Sequence, residues 1–493
     1  MMTGCLQQLT LWNLGPQQVT VTFQGGRIVS DAGLLGIRML DKELDVLSVL
    51  GARLPDPRAQ KSVVHSRETL LTQQVYQILA GYPDCNDAQT LRHDPLFHTL
   101  LDRPAEDDAK PLASGSTLAR FAQAFTRREA ELPLAERSVL GEVASAQNQR
   151  LKILNDYLPE LFVRTRRERP AFVILDLDAS DDPAHGQQVL SFYHGYYEQN
   201  QYFPLYVFDG ITGFPLAAWL RPGAVHASCG AVDILQGIVA ALRCAWPNLT
   251  ILVRGDGGFA LPAMYEFCEA EGLLYAFGYS TNAVLTRRTD AIANDLELYY
   301  RYYGERDPHV QRFEVFEDYQ AEGWSRPRRI VAKVEINRQG MNRRFVVTNL
   351  SGHPQGIYKG FYVQRGNVPE HPIGELKNGL SSDRLSFHHF RANAMKHLEH
   401  VMAYALVILH REATAAIPEI AKAEVHTLRT KLWKVGALVK TSVRRIWFHF
   451  SETWPYRDLW QRVHAALIEF VAHVQRSQAG NLTTPGVPSA LLM

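Results

Sequence analysis

A short apolar run that ends in acid, Ala171-Phe-Val-Ile-Leu-Asp-Leu-Asp178, decides the fold. Such a run predicts a buried central β-strand that delivers Asp178 at its carboxyl end. Asp176 lies two residues earlier, and because side chains alternate along a strand, both carboxylates face the same side. We therefore expect an acidic site at the end of a central strand, which both acids could approach.

The segments that follow predict a sheet around this strand. Two further strands are separated by Asp209-Gly-Ile-Thr-Gly213, whose turn residues predict an antiparallel hairpin. The predicted elements are strands at 202–208 and 214–220, a helix at 232–244, a strand at 250–254 that delivers Asp256, a helix at 261–271 and a strand at 273–279. Three strands, a helix and a fourth strand, with acids ending the first and fourth, is the ribonuclease H-like order. The predicted fold class is α/β with a ribonuclease H-like catalytic core.

The rest of the chain predicts additions to this core. Residues 1–20 are interpreted as a loose lead-in, 391–413 as a long helix and 439–450 as a basic strand. The predicted parts are a helical N-terminal DNA-binding or dimerisation region at 1–165, the catalytic domain at 166–279 and 357–415, a β-rich insertion at 280–356, a helical C-terminal region at 416–478 and a disordered tail at 479–493.

Composition excludes several classes of protein. The 493 residues are too many for one compact core. No run of about 18 apolar residues predicts a membrane span, and the first residues lack the pattern of a secretion signal. Five scattered cysteines without CxxC spacing argue against a zinc ribbon or a disulfide framework, which fits a reducing cytoplasm. The net charge is only +1, so any DNA-binding surface must come from clustered basic residues.

A third acid, Glu370, is predicted near the start of a later helix, because Pro369 suits a first helical turn. Cutting and joining phosphodiesters requires an oxygen nucleophile and a stabilised leaving oxygen. Two divalent metals about 3.5–4 Å apart can serve both, if carboxylates hold them. Mg²⁺ prefers oxygen ligands and keeps several waters, so Asp178, Asp256 and Glu370 suffice. Glu375 is the alternative third acid.

Stretches around all three acids resemble motifs of DDE transposases of insertion-sequence family 1380. They are Leu175-Asp-Leu-Asp-Ala-Ser-Asp-Asp-Pro-Ala-His-Gly-Gln-Gln188, Arg254-Gly-Asp-Gly-Gly-Phe259 and Tyr362-Val-Gln-Arg-Gly-Asn-Val-Pro-Glu370. The resemblance continues towards both ends, in Ala80-Gly-Tyr-Pro-Asp-Cys-Asn-Asp-Ala88 and Leu428-Arg-Thr-Lys-Leu-Trp-Lys-Val-Gly-Ala437. Each motif alone is weak, but their order and extent make the match strong.

The resemblance implies a ribonuclease H-like core, dependence on Mg²⁺ with Mn²⁺ as a substitute, and action on terminal inverted repeats. It assigns the catalytic and metal-binding roles to Asp178, Asp256 and Glu370. A Tyr-Arg-Glu-Lys signature of related transposases falls on Tyr362, Arg365, Glu370 and Lys377. Four residues separate Arg365 from Glu370 where the usual pattern has three, so the choice between Glu370 and Glu375 stays open.

Basic and aromatic residues outside the acids are candidates for DNA contact. Trp324 stands beside Arg326-Pro-Arg-Arg329, and basic residues around an exposed aromatic ring suit a stacked base. Ordinary packing of the tryptophan is the alternative. The predicted DNA-contacting residues are Tyr362, Arg365, Lys377, Trp324, Arg328, Arg329, Arg444 and Arg445.

The sequence thus predicts a transposase that cuts and joins the ends of an insertion sequence. Its partners are double-stranded DNA, both element ends and target, and a second copy of the chain on the DNA. Two alternatives stay open: a two-metal nuclease that cuts without joining, and a catalytically inactive DNA-binding protein derived from a transposase.

Overall fold

The structure is a computed structural model that describes residues 8–54, 56, 58–59, 61, 63–106, 109–124, 149–195, 197–367 and 370–482. Across these ranges, no helix combines the length and the apolar character that crossing a bilayer requires. The sequence also predicts a helix at 135–158; part of this segment, the residue Pro369 and most of the predicted tail lie outside the described residues.

The N-terminal part is mainly helical, as predicted. Its elements are β1 (Leu9–Leu14), β2 (Gln17–Val21), β3 (Ile28–Val29), α1 (Leu35–Glu43), α2 (Val46–Arg53), α3 (Arg67–Ala80), α4 (Ala88–Leu91), α5 (Pro95–Leu100), α6 (Gly115–Gln123) and α7 (Gln149–Arg164). The lead-in is not loose, because β1 and β2 pair as an antiparallel hairpin. The Ser66 hydroxyl begins α3 by accepting a hydrogen bond from the Thr69 amide at 3.1 Å.

The predicted core elements are all present. They are β4 (Phe172–Ala179), β8 (Leu205–Asp209), β9 (Pro215–Trp219), α8 (Ala231–Ala245), β10 (Thr250–Gly255), α9 (Pro262–Ala270) and β11 (Leu274–Tyr279). Three short strands that the sequence did not predict, β5 (Asp182–Pro183), β6 (Phe192–His194) and β7 (Gln199–Tyr202), form a small sheet of their own. Val173, Leu175 and Leu177 of β4 are buried, as expected for a central strand.

The segment predicted as a β-rich insertion begins with helices and then extends the core sheet. Its elements are α10 (Ala283–Arg288), α11 (Asp290–Tyr303), β12 (His309–Tyr319), β13 (Arg328–Asn337) and β14 (Gly340–Thr348). β14 pairs antiparallel with β11, so the three strands are not a separate β unit. The result is one eight-stranded mixed sheet in the order β12-β13-β14-β11-β10-β4-β8-β9. β10 runs parallel to both β4 and β11, and β8 runs antiparallel to β4.

The C-terminal part is built around one long buried helix. Helical turns at Gly356–Tyr362, Val363–Asn367 and Glu375–Gly379 flank the short α12 (Glu370–Gly374), and α13 (Phe390–Ala413), α14 (Val425–Leu428), a turn at Arg429–Trp433, β15 (Ala437–Ser442), β16 (Arg445–Phe450) and α15 (Arg457–Leu482) follow. α13 is buried from Phe390 to His410 and packs between β9 and the helices α3 and α6.

Two C-terminal predictions are wrong in detail. The single basic strand predicted at 439–450 is a hairpin, because the chain turns at Val443 and Arg444 and β16 pairs back on β15. The last helix continues to Leu482, beyond the predicted start of the tail at Ala479.

Candidate active site

Two neighbouring parallel strands deliver the first two acids to one edge of the sheet. Arg254 of β10 lies opposite Asp176 of β4 in the strand register. Asp178 and Asp256 each lie two residues further along, so the two carboxylates leave adjacent strand ends in the same direction. Asp178 accepts a hydrogen bond from the Ala179 amide at 2.9 Å, and Asp256 accepts one from the Gly258 amide at 2.9 Å.

The electrostatics of Asp178 involve Asp256, Glu370 and Arg365. The pKa of the Asp178 carboxyl is raised to about 7, chiefly by burial and then by the negative charges of Asp256 and Glu370, against the lowering effect of Arg365. A carboxylate responds in this way to neighbours only when they are close. Glu370, at the exposed start of α12, is thus close enough for its charge to act on Asp178.

Arg365 is the cation of this cluster. Burial lowers its pKa, but the neighbouring Tyr362, Asp178 and Asp256 more than offset this, and the net shift is upward. The guanidinium lies 5.7 Å from the centre of the Tyr362 ring. Tyr362 in turn packs on β11, where a Cβ at Gly278 would lie 2.5 Å from the tyrosine hydroxyl. The helical segment that precedes Glu370 is therefore seated against the sheet edge that carries the other acids.

Asp176 does not share the acidic site, contrary to the prediction that both strand acids could approach it. Its carboxylate is fully buried and accepts two hydrogen bonds at 2.5 Å from Arg254. Arg254 also donates a hydrogen bond to the Phe361 carbonyl at 2.7 Å. One buried ion pair thus joins β4, β10 and the segment that leads to Tyr362. Gly210 makes room for it, since a Cβ there would lie 2.7 Å from an Asp176 carboxylate oxygen.

Lys377 is bound to the turn that follows β4. Its ammonium donates hydrogen bonds to the Ser180 hydroxyl at 2.7 Å, to the Asp181 carboxylate at 3.1 Å and to the Asp181 carbonyl. A buried carboxylate, that of Asp182, lies 3.9 Å away. The charge of Lys377 is therefore already used inside the protein, where the sequence predicts a contact with DNA.

Glu375, the alternative third acid, is occupied elsewhere. Its carboxylate is buried and accepts hydrogen bonds from Arg411 at 2.5 and 2.6 Å, from Tyr404 at 3.1 Å and from the Val425 amide at 3.0 Å. Burial raises its pKa, but these hydrogen bonds and the charge of Arg411 outweigh burial and lower it. A carboxylate with this many donors has little capacity left for a metal, which favours Glu370.

The burial of Trp324 and Arg328 argues against the DNA contacts predicted for these two residues. Trp324 is only 7% exposed and packs edge-on against Tyr265, Tyr279 and Tyr319, so no base can stack on it. Arg328 is buried and bound to Glu269. The apolar packing alternative is therefore the correct one for Trp324.

The remaining predicted DNA contacts differ in how free they are. Arg329 donates hydrogen bonds to the Leu350 and Gly352 carbonyls and pairs with Glu317. Arg444 and Arg445 are exposed on the C-terminal hairpin. Among the described residues, neither Arg444 nor Arg445 has a side-chain partner, so both present their charge to solvent.

The donor chemistry of the acid cluster suits a hard divalent cation. Carboxylate oxygens are ligands that Mg²⁺ prefers, and the charges of Asp256 and Glu370 both act on the buried Asp178 carboxyl. Within the ranges that the structure describes, no three His, Cys, Asp or Glu side chains stand close enough together to hold an ion.

Arg254 is the residue that sequence reasoning missed. A charged side chain inside an apolar strand needs a buried partner. The sequence contains the signal, because Asp176 and Arg254 precede Asp178 and Asp256 by the same two residues. Equal offsets on adjacent parallel strands place the two side chains next to each other.

Comparison with known families identifies the class of protein. A model of the family described as Transposase DDE domain group 1 matches residues 13–472. The chain therefore belongs to the Transposase DDE domain group 1 family. No curated protein sequence matches the chain.

A search of solved structures finds a low level of similarity. A cryo-EM structure of a piggyBac transposase synaptic complex with hairpin DNA has 11% sequence identity and a TM-score of 0.41, and the match covers 94% of this chain and 84% of that one. This similarity is too low to support a functional argument.

Proposed function

We propose that the protein is the transposase of an insertion sequence of family 1380, and that it cuts and joins DNA ends with Asp178, Asp256 and Glu370. The observation that carries the proposal is that Asp178 and Asp256 leave adjacent ends of β4 and β10 while the charge of Glu370 acts on Asp178, in a chain of the DDE family. The strand order β9-β8-β4-β10-β11 supports a ribonuclease H-like core.

The three acids are assigned the binding of Mg²⁺, with Mn²⁺ as a substitute. When bound, two such ions supply positive charge to the attacking and leaving oxygens of a phosphodiester. Asp178 and Asp256 provide ligands on rigid strand ends, and Glu370 provides one from a helix start that is open to solvent. Arg365 and Tyr362 border the cluster and can orient the scissile phosphate.

The reaction has two chemically similar steps. In the first, a water oxygen forms a bond to phosphorus and the bond to the 3′ oxygen of the element end breaks, which frees a 3′-hydroxyl. In the second, that hydroxyl attacks a target phosphodiester and displaces its 3′ oxygen. Neither step needs a covalent bond to the protein. Because two ends must be cut together, the working unit is proposed to be a dimer on DNA.

The test is Mg²⁺-dependent cleavage of a duplex that carries the DNA flanking the coding sequence. The wild type should cut it, and Asp256→Asn and Asp178→Asn should reduce cutting to background. The surface variant Asp458→Asn, at an exposed acid of α15, serves as the matched control and should cut normally. Equal background cutting by wild type and Asp256→Asn would instead indicate an inactive DNA-binding protein.

A second assay separates cutting from joining. A pre-cut duplex with a free 3′-hydroxyl is offered together with a target plasmid. A transposase gives joined product, whereas a nuclease cuts the plasmid and joins nothing. Joined product that requires Asp256 would support the transposase.

A further inference from the structure

The hairpin of β15 and β16 is a projecting ribbon that the acid cluster does not use. Ala437 and Val439 at its base are buried, and β15 pairs with β3. From Lys440 to Trp447 every residue is exposed, and the turn residue Val443 is fully so. The tip is therefore a pair of strands that none of the described residues covers.

One face of this ribbon combines cations with an aromatic ring. Directly opposed residues of an antiparallel pair share a face, and here Lys440 is opposite Trp447 and Ser442 is opposite Arg445. Arg444 stands in the turn. Among the residues that the structure describes, the side chains of Lys440, Arg444 and Arg445 have no ion pair and no hydrogen bond. Three positive charges are thus held together without any internal partner.

The charge of this region contrasts with that of the whole chain. Between Glu424 and Glu452 there are six lysines and arginines and no acidic residue, whereas the chain carries a net charge of only +1. A local positive field on a nearly neutral protein attracts a polyanion. A second protein strand is a poor partner, because β16 is the edge of its sheet and charged side chains on an edge oppose pairing.

We propose that the tip of the β15–β16 hairpin enters the major groove of duplex DNA. The major groove of B-DNA admits a two-stranded β-ribbon. Lys440, Arg444 and Arg445 would neutralise phosphates on the groove walls, and Trp447 would pack its ring against the base edges or sugars between them. The inference rests on the proposed function and names the element that grips the substrate DNA away from the acids.

The test measures DNA binding without metal, so that no cutting occurs. Fluorescence anisotropy follows a labelled duplex from the flanking DNA, and an unrelated duplex, at several salt concentrations. The variant K440Q/R444Q/R445Q should bind more weakly, and the slope of log affinity against log salt should fall by about 0.9 for each lost contact. Trp447→Ala should weaken binding while leaving the slope unchanged.

The matched control removes the same charge elsewhere. Lys422, Arg457 and Arg476 are exposed cations of the same C-terminal region, and K422Q/R457Q/R476Q should keep the wild-type slope. If both triple variants lose affinity and slope equally, the hairpin has no special role and the inference is overturned. Binding to anionic lipid vesicles is measured in parallel. The inference is also overturned if the hairpin variant binds DNA like the wild type but binds these vesicles more weakly.

The two proposals fail in different ways. A wild type that binds and cuts DNA, combined with a hairpin variant indistinguishable from the control, removes only the hairpin proposal. A wild type that neither binds nor cuts the flanking DNA removes both.

Discussion

At the scale of single residues, burial and neighbouring negative charge both oppose ionisation of Asp178. Asp178 is desolvated and its carboxyl is influenced by the charges of Asp256 and Glu370, so its pKa is raised to about 7. The usual pKa of an aspartate is about 3.9. The folded, metal-free protein therefore binds a proton that the unfolded chain releases between these values.

The sign of this shift predicts how stability depends on pH. Because the folded state binds the extra proton, the free energy of unfolding falls as pH rises from about 4 to about 7. Above about pH 7 the contribution of Asp178 stays at this lower value. Asp178→Asn should therefore raise the melting temperature of the metal-free protein at about pH 8 and change it little at about pH 4. Calorimetry across this range checks it, with Asp458→Asn as the control. A difference between Asp178→Asn and wild type that is independent of pH would contradict the prediction.

The buried pair of Asp176 and Arg254 predicts a stability cost that surface pairs lack. Asp176→Asn leaves the buried guanidinium without its counter-charge, and breaking such a pair costs about 3–5 kcal/mol. Urea denaturation measures this. Arg53→Gln, which breaks the half-exposed pair with Glu160, should cost much less. Equal losses in the two variants would show that the buried pair has no special weight.

At the scale of elements, Lys377 connects the helical segment that follows α12 to the turn after β4. Its hydrogen bonds to Ser180 and Asp181 link the chain segments that carry the third and first acids. Lys377→Met should therefore raise the Mg²⁺ concentration needed for cleavage, because Glu370 is no longer held near Asp178. DNA affinity without metal should change little.

Cleavage titrated with Mg²⁺ and anisotropy measured without it separate these readouts for Lys377. The conservative variant Lys377→Arg should restore part of the metal response. If Lys377→Met instead lowers DNA affinity and reduces the salt slope by about 1, the lysine contacts a phosphate, as its place in the family signature implies.

Elements with a strong local pattern could be predicted from the sequence, and those that depend on distant partners could not. The run that ends at Asp178 and the turn before Gly213 determine their own conformation, and both are observed as predicted. The pairing of β14 with β11 joins residues far apart in the chain, so no local pattern reveals that the insertion extends the sheet. The hairpin at Val443 was missed because its turn has no glycine, asparagine or aspartate.

The same distinction applies to the candidate site. Asp178 and Asp256 could be proposed because adjacent parallel strands bring their carboxyl ends together. Glu370 could be proposed because of the motif around it. The partners of Trp324 and Glu375 could not, because burial is decided by segments such as α13 that pack from elsewhere in the chain. Features set by neighbouring residues in the chain can be predicted from sequence. Which charged side chains remain without a partner depends on packing between distant segments.

At the scale of the whole molecule, metal binding should stabilise the fold. An ion that binds the folded state alone adds RT ln(1 + [L]/Kd), which is about 1.4 kcal/mol at ten times Kd. Mg²⁺ or Mn²⁺ should therefore raise the melting temperature of the wild type, and EDTA should reverse the shift. Asp256→Asn should respond much less, since one ligand is lost. An equal shift in this variant would place the ion elsewhere.

The continuous sheet has a mechanical consequence. β12 and β4 are separated by five inter-strand spacings of about 4.8 Å, or about 24 Å along the sheet. Every step is a hydrogen-bonded strand pair, so the outermost strand cannot swing relative to Asp178 as a hinged lobe could. The sheet therefore fixes the distance between β12 and Asp178, and any molecule bound at β12 is held at a constant distance from that acid.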